Sequence, residues 1–237
     1  MREVDVQIRR AKGIDDYEKI VQLEKEVWGY TDAADLAAVP ILMIANEFGG
    51  AVLVAEEPSG RMIGFAMANL GWTEEKKLFW WSHMAAVIDE YRNKGIGLRL
   101  KMRQRDEALA VGIDEIRWTF DPLQALNAHF NLHKLGVIVR HYEENVYGYS
   151  SSRLHQGLPT DRFVAEWNLK SDREQTTADS VRVEIPENIN ELRQTDLATA
   201  KAWQGRIRAA CQKYFQEGYV VTDFVGGQYV LSQRLLR

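Results

Sequence analysis

Several things are scarce in this sequence, and each scarcity excludes a class of protein. One cysteine, Cys211, stands among 237 residues, so no internal disulfide can form and nothing calls for an oxidising compartment. No run approaches the roughly 18 apolar residues of a membrane span. The stretch from Met1 to Arg10 is charged and alternating, without the apolar centre of a signal peptide. Positive charge is not in excess: 30 Lys+Arg face 34 Asp+Glu, for a net charge of −4 and a pI near 5.8. The summed field therefore does not draw in a phosphate backbone, and any anion must be held by a local patch. The expectation is a soluble, cytoplasmic protein that binds neither nucleic acid nor membrane. What is present is 46% hydrophobic and 27% charged residues, the balance of a globular chain with a real core. The length allows one large domain or a domain with a sizeable extension.

Val4 to Arg10 alternates as a half-buried strand, and Tyr17, Ile20, Val21, Val27 and Trp28 then follow helical spacing. After an irregular stretch from Trp28 to Pro40, Ala51–Ala55 and Met62–Leu70 form a hairpin across Glu57-Pro58-Ser59-Gly60. A third strand, Lys77 to Val87, leads through Asp89–Gly97 into a helix that stops at Gly112. That helix carries two apolar stripes, Leu98/Met102/Leu109 and Leu100/Ala108/Val111, which predicts cover on two sides. A strand from Ile113 to Phe120, a helix capped by Asp121-Pro122 and running to Gly136, and a strand from Val137 to Val146 complete the pattern. Polar, linker-like segments at 150–152 and 171–180 flank a further strand ending at Leu169. Beyond them lie a short strand at Val181–Ile185, an amphipathic helix through Ala200, Trp203, Ile207, Ala210 and Tyr214, and a hairpin closing over Gly226-Gly227. The fold class expected is α/β (α+β), with residues 1–148 as a core domain and 149–237 as a strand-helix-hairpin extension packed on it.

Arg92-Asn93-Lys94-Gly95-Ile96-Gly97 has the form R-x-x-G-x-G between a strand and a helix N-terminus. Small residues let the backbone approach an anion, and successive N–H groups with the helix dipole hold a pyrophosphate. A dinucleotide fingerprint would need a third glycine where Leu100 stands, and a P-loop would need Gly-Lys-Ser/Thr. With the strand before it, the segment Ala85–Leu100 resembles the acyl-CoA signature of the GCN5-related N-acetyltransferase (GNAT) superfamily. The element order of residues 5–148 is similar to that family too. Phe120–Gln124, Asn127–Gly136 and Gly157–Phe163 look like a branch known mostly as predicted acetyltransferases.

The resemblance implies a mixed, mostly antiparallel central sheet flanked by helices, with acetyl-CoA or another acyl-CoA as co-substrate and no metal. It implies that the backbone of Ala85, Ala86 and Val87 pairs with pantetheine, that Arg92, Asn93, Lys94, Gly95, Ile96 and Gly97 cradle the pyrophosphate, and that Asn127 hydrogen-bonds the cofactor. The family's usual acid, a tyrosine four residues before the glycine that closes its fourth helix, is replaced here by Leu132. Tyr142, Tyr147 or Tyr149 then serves as acid, or none does, because a thiolate with a pKa near 8.5 leaves with little help.

Acyl transfer to an amine needs a base, and His83, two residues before Ala85, is the candidate, beside its alternative as a hydrogen-bonded core residue. Glu74 and Glu75 are weaker candidates. His129 and His133 have the spacing of two metal ligands but no acidic or cysteine partner between them, and are taken as helix-surface or substrate-facing residues. Arg99, Lys101, Arg103 and Arg105 are expected to face solvent or the 3′-phosphate of CoA. Cys211 is expected to be structural. The function expected is direct acyl transfer to the amine of a small molecule or amino acid; the alternative is a non-catalytic CoA-binding sensor or interaction module. The C-terminal amphipathic helix is open to roles in covering the core, completing the acceptor pocket or forming a homodimer.

Overall fold

The structure is a computed structural model that describes residues 5–148, 157–171 and 176–234. It divides by packing into two compact units, one running to Ile116 and the other from Arg117 onward.

In the first unit, β1 (Gln7–Arg10), β2 (Ala51–Glu56), β3 (Met62–Trp72) and β4 (Leu78–Val87) form an antiparallel sheet in that order. The helices are α1 (Gly13–Trp28), α2 (Val39–Glu47) and α3 (Ile96–Ala110). Neighbouring residues on a strand face opposite ways, and two of them identify the layers. A Cβ on Gly64 would come 3.5 Å from Leu100 of α3, whereas the Phe65 ring meets Trp28 of α1 edge-on at 5.8 Å. The sheet thus lies between α1 and α3. Ala51–Ala55 are all fully buried, the continuous apolar run of a strand covered on both faces.

The stretch from Trp28 to Pro40 is irregular as expected, and a helix, α2, with Pro40 in its first turn completes it before β2. One expectation for this unit is corrected. The helix α3 buries one stripe, Ile96, Leu100, Lys101, Gln104 and Ala108, while Met102 is 38% and Val111 58% exposed. Two of the five buried residues are polar, so hydrophobicity could not mark that face.

The second unit contains β5 (Glu115–Phe120), in which the division falls, and α4 (Ala125–Ala128), which continues as a π-helical turn over His129–Lys134. It further holds β6 (Ile138–Glu143), β7 (Arg162–Asn168), β8 (Thr176–Glu184), α5 (Ile189–Thr195), α6 (Leu197–Gln216), β9 (Tyr219–Val225) and β10 (Gln228–Arg234). Its strands lie in the order β5-β7-β6-β9-β10-β8. The strand β7 comes after residue 148 in sequence yet sits between β5 and β6. Positive φ angles of 61° and 78° at Gly226 and Gly227 make the hairpin turn that the sequence called for. The helix α5 had no counterpart in the sequence reading; Asn188 caps it by accepting from the Glu191 N–H.

Candidate active site

The strand β4 carries a bulge where its partner β3 does not. Met67 faces Met84 and the next pair is Ala68 with Ser82, which leaves His83 as the extra residue. A bulge unpairs one residue and re-aims its side chain. His83 and Ala85 are exposed in mid-strand, whereas Ser82 and Ala86 are buried and Val87 is half-buried. The His83 ring is reached by solvent, yet the protein packed around it lowers its pKa by desolvation, so the imidazole is neutral near pH 7 and able to take a proton.

From the end of β4 the chain turns through Asp89–Tyr91 and enters α3 by way of two left-handed residues, Asn93 at φ 59° and Gly95 at φ 83°. Gly95 is the N-cap of α3 and offers no side chain to its first turn, so the leading N–H groups are left for an outside acceptor. A Cβ added at Gly95 or Gly97 would meet nothing within 4 Å. Two cations flank the loop. Arg92 donates to the Val87 carbonyl at 3.3 Å and pairs with Asp89 at 2.9 Å; the Lys94 ammonium lies 4.7 Å from the centre of the Tyr91 ring. Free backbone donors, a positive helix end, nearby cations and unfilled space fit a diphosphate. The basic run does not extend that patch. Arg103 is exposed and pairs with Glu107, Arg99 donates to the Val6 carbonyl, and Lys101 is buried against Ser82 and Gln104, contrary to the expectation of solvent or a 3′-phosphate.

The remaining candidates lie in the second unit. The Tyr142 hydroxyl is buried and donates to Asp161 at 2.7 Å, and burial together with that carboxylate holds its pKa far above the usual value. Tyr147 is 43% exposed, with its hydroxyl 2.7 Å from that of Thr119. Tyr149 lies outside the described residues. Leu132 is fully buried and Asn127 is exposed. His129 and His133 stack with ring centres 4.8 Å apart, and His133 bonds Asp223 at 3.0 Å. Both line a depression of about 690 Å³ with Glu184, Glu187, Phe224 and Leu126. Among the described residues there is no cluster of three or more groups able to hold a metal. Cys211 is fully buried and its thiol is pushed up to about 12 by burial.

The sequence reading missed a second set of buried groups. Glu24 is fully buried, accepts the Ala37 N–H at 2.9 Å, and is pushed up to about 7 by desolvation. Lys101 is pushed down to about 7 for the same reason. Neither stands in a motif. The one clue was position: each falls on a face that its helix buries.

A helix-flanked, mostly antiparallel sheet with a glycine loop opening a helix just after a central strand defines the α/β acyltransferase class. The chain belongs to the acetyltransferase (GNAT) family, whose family model matches residues 17–137, just over half of its length. No curated protein matches the sequence. Among solved structures, the ribosomal-protein-S18-alanine N-acetyltransferase from Escherichia coli is similar at 13% identity and TM-score 0.54, covering 73% of this chain and 99% of that one. Arabidopsis thaliana Naa50, solved with the bisubstrate analogue CoA-Ac-MVNAL, is similar at 20% identity and TM-score 0.52, over 71% and 100%. A chain of the NatC complex bound to Gag peptide and CoA is similar at 17% and 0.55, over 70% and 99%. At these identities the likeness is one of fold. No single helix among the described residues is long and apolar enough to cross a membrane.

Proposed function

We propose that this protein is a cytoplasmic, acyl-CoA-dependent N-acyltransferase, with acetyl-CoA as its first donor, that passes the acyl group directly to the amine of a small molecule or amino acid. One observation carries the proposal: an anion cradle of free N–H groups with room at Gly95 and Gly97, on the same unit as a bulged strand open at His83 and Ala85. Arg92, Asn93, Lys94, Gly95, Ile96 and Gly97 hold the diphosphate in this scheme, and Ala85 to Val87 lie along the pantetheine. The donor supplies a thioester, whose thiolate leaves readily because thiol pKa values lie near 8.5.

His83 takes the proton that the acceptor nitrogen loses as its N–C bond forms, and backbone N–H groups around Ala85 to Val87 donate to the negative charge that develops on the acyl oxygen. Tyr142 cannot easily give up a proton, since its hydroxyl already donates to Asp161, and in this scheme the thiolate leaves without a tyrosine acid. Direct transfer is favoured because the only cysteine is buried with its thiol protonated. Residues 1–148 supply the core in this reading, with β7 added from the remainder of the chain.

Acetyl-CoA is expected to raise the melting temperature, and Gly97→Tyr, which places a ring where the structure has open space, to remove that shift without unfolding the protein. His83→Ala is expected to slow CoA release from a panel of amines and amino acids by about 100-fold. No shift with any acyl-CoA would overturn the reading, and unchanged turnover would remove His83 from it. A second reading takes a peptide amino terminus as acceptor. It is favoured by the neighbours solved with peptides or peptide analogues, and short peptides in the same panel decide between the two.

A further inference from the structure

Lys101 is 4% exposed and sits on the stripe by which α3 packs against the sheet. Its ammonium donates to the Ser82 hydroxyl at 2.7 Å and to the Gln104 side-chain carbonyl at 3.2 Å. Withdrawing an amine from water costs several kcal/mol unless it is well bonded, and a methionine would fill the same space without that cost. The packing of α3 does not need it, because Ile96, Leu100 and Ala108 already supply an apolar face. The arrangement carries a further cost, since the Gln104 side-chain nitrogen is buried with no partner among the described residues. A polar contact kept at such expense has a geometric use.

The contact joins two particular points. Lys101 lies four residues past Gly97, about 6 Å along the helix from the cradle. Ser82 immediately precedes the bulge residue His83, and Ala85 is about 10 Å further along the strand. Apolar contacts let a helix slide over a sheet by fractions of an ångström at little cost, whereas a directional hydrogen bond at one residue fixes the offset.

We propose that Lys101 is a positioning residue that, through Ser82, sets the offset of α3 against β4 and so fixes the distance between the cradle at Gly95–Gly97 and the reacting stretch at His83–Ala85. This rests on the acyl-CoA reading above: the pair acts as a ruler for the length of substrate between diphosphate and thioester. The lowered pKa of Lys101 fits such a use, since an amine that sheds its proton near neutrality is cheaper to keep buried while it still hydrogen-bonds.

The test is equilibrium binding of two ligands, acetyl-CoA and ADP 3′-phosphate, the second being the fragment that ends at the diphosphate. Wild type is compared with Lys101→Met, Ser82→Ala and the double variant. Lys101→Met is expected to melt at or above the wild-type temperature, to lose about tenfold in acetyl-CoA affinity and to bind the fragment within twofold of wild type. Ser82→Ala is expected to show the same split, and the double variant to be no worse than Lys101→Met alone. Equal loss for both ligands, or none, overturns the ruler while leaving the acyl-CoA reading intact. Should Lys101→Met fail to fold, the ratio in Ser82→Ala decides alone. A wild-type protein that binds acetyl-CoA but not the millimolar fragment also overturns it, because the cradle is then no separate anchor. Failure of wild type to bind acetyl-CoA overturns both proposals together.

Discussion

In the second unit the buried carboxylate of Asp161 accepts from the Tyr142 hydroxyl, the Asn145 N–H and the guanidinium of Arg208, and Asp121 meets the buried Arg193 at 2.7 Å. In the first unit, buried Glu24 has one oxygen on the Ala37 N–H and the other without a partner among the described residues, while Lys101 rests on a hydroxyl and an amide. Burial with an opposite charge keeps a group ionised and binds distant segments together, as Asp161 binds Asn145 to Arg208. Where desolvation dominates, the pKa moves instead, and both Glu24 and Lys101 arrive at about 7. Asp161 and Asp121 tie segments of the second unit together through their guanidinium partners; the two desolvated groups make the first unit sensitive to protons.

The contrast is broken most severely at Asp161. Asp161→Asn leaves Arg208 facing a neutral amide and Tyr142 without its anionic acceptor. The expected loss is about 3 kcal/mol, the low end for one partner of a buried pair because Arg208 is partly exposed. Urea unfolding followed by hydrogen exchange would check it, with the loss confined to amides of the second unit. A loss under 0.5 kcal/mol would mean that the pairing there is incidental.

The first unit is sharpened by pH. Between about 4.5 and 7 the folded Glu24 keeps a proton that the unfolded chain has released, so stability falls as pH rises. Between about 7 and 10.5 the unfolded Lys101 keeps a proton that the folded state has shed, so stability rises with pH. The first unit should therefore be least stable near pH 7, with slopes of up to about 1.4 kcal/mol per pH unit on either side. Glu24→Gln should flatten the acidic limb and Lys101→Met the basic one. Identical curves for wild type and both variants would refute the assignment. The smallest effect is expected at Tyr142→Phe, about 1 kcal/mol of stability with CoA release unchanged; a tenfold drop in turnover would instead put that hydroxyl in the chemistry.

What the sequence made legible was local. The glycine loop could be read because R-x-x-G-x-G needs only its own backbone and the helix it opens, and the closing hairpin because Gly226-Gly227 sets its turn alone. The buried face of α3 was hidden, since Lys101 and Gln104 look like solvent residues until Ser82, nineteen positions before Lys101, is placed opposite. Tyr142 read as a candidate acid for the same reason: Asp161 and Arg208, which claim it, come from two later segments. The bulge that singles out His83 leaves no mark in composition or spacing.

The place of β7 bears on how the chain can be made. β6 pairs with β7 on one side and β9 on the other, and both follow residue 148. A ribosome that has delivered β5 and β6 has delivered two strands whose shared neighbour does not yet exist, and β6 keeps both rows of backbone donors and acceptors open until Asn168 and then Val225 emerge. Such uncovered edges invite pairing with other chains. The C-terminal third is thus a requirement of this sheet's closure, and a fragment ending near Gly148 would carry its most association-prone surface in the open.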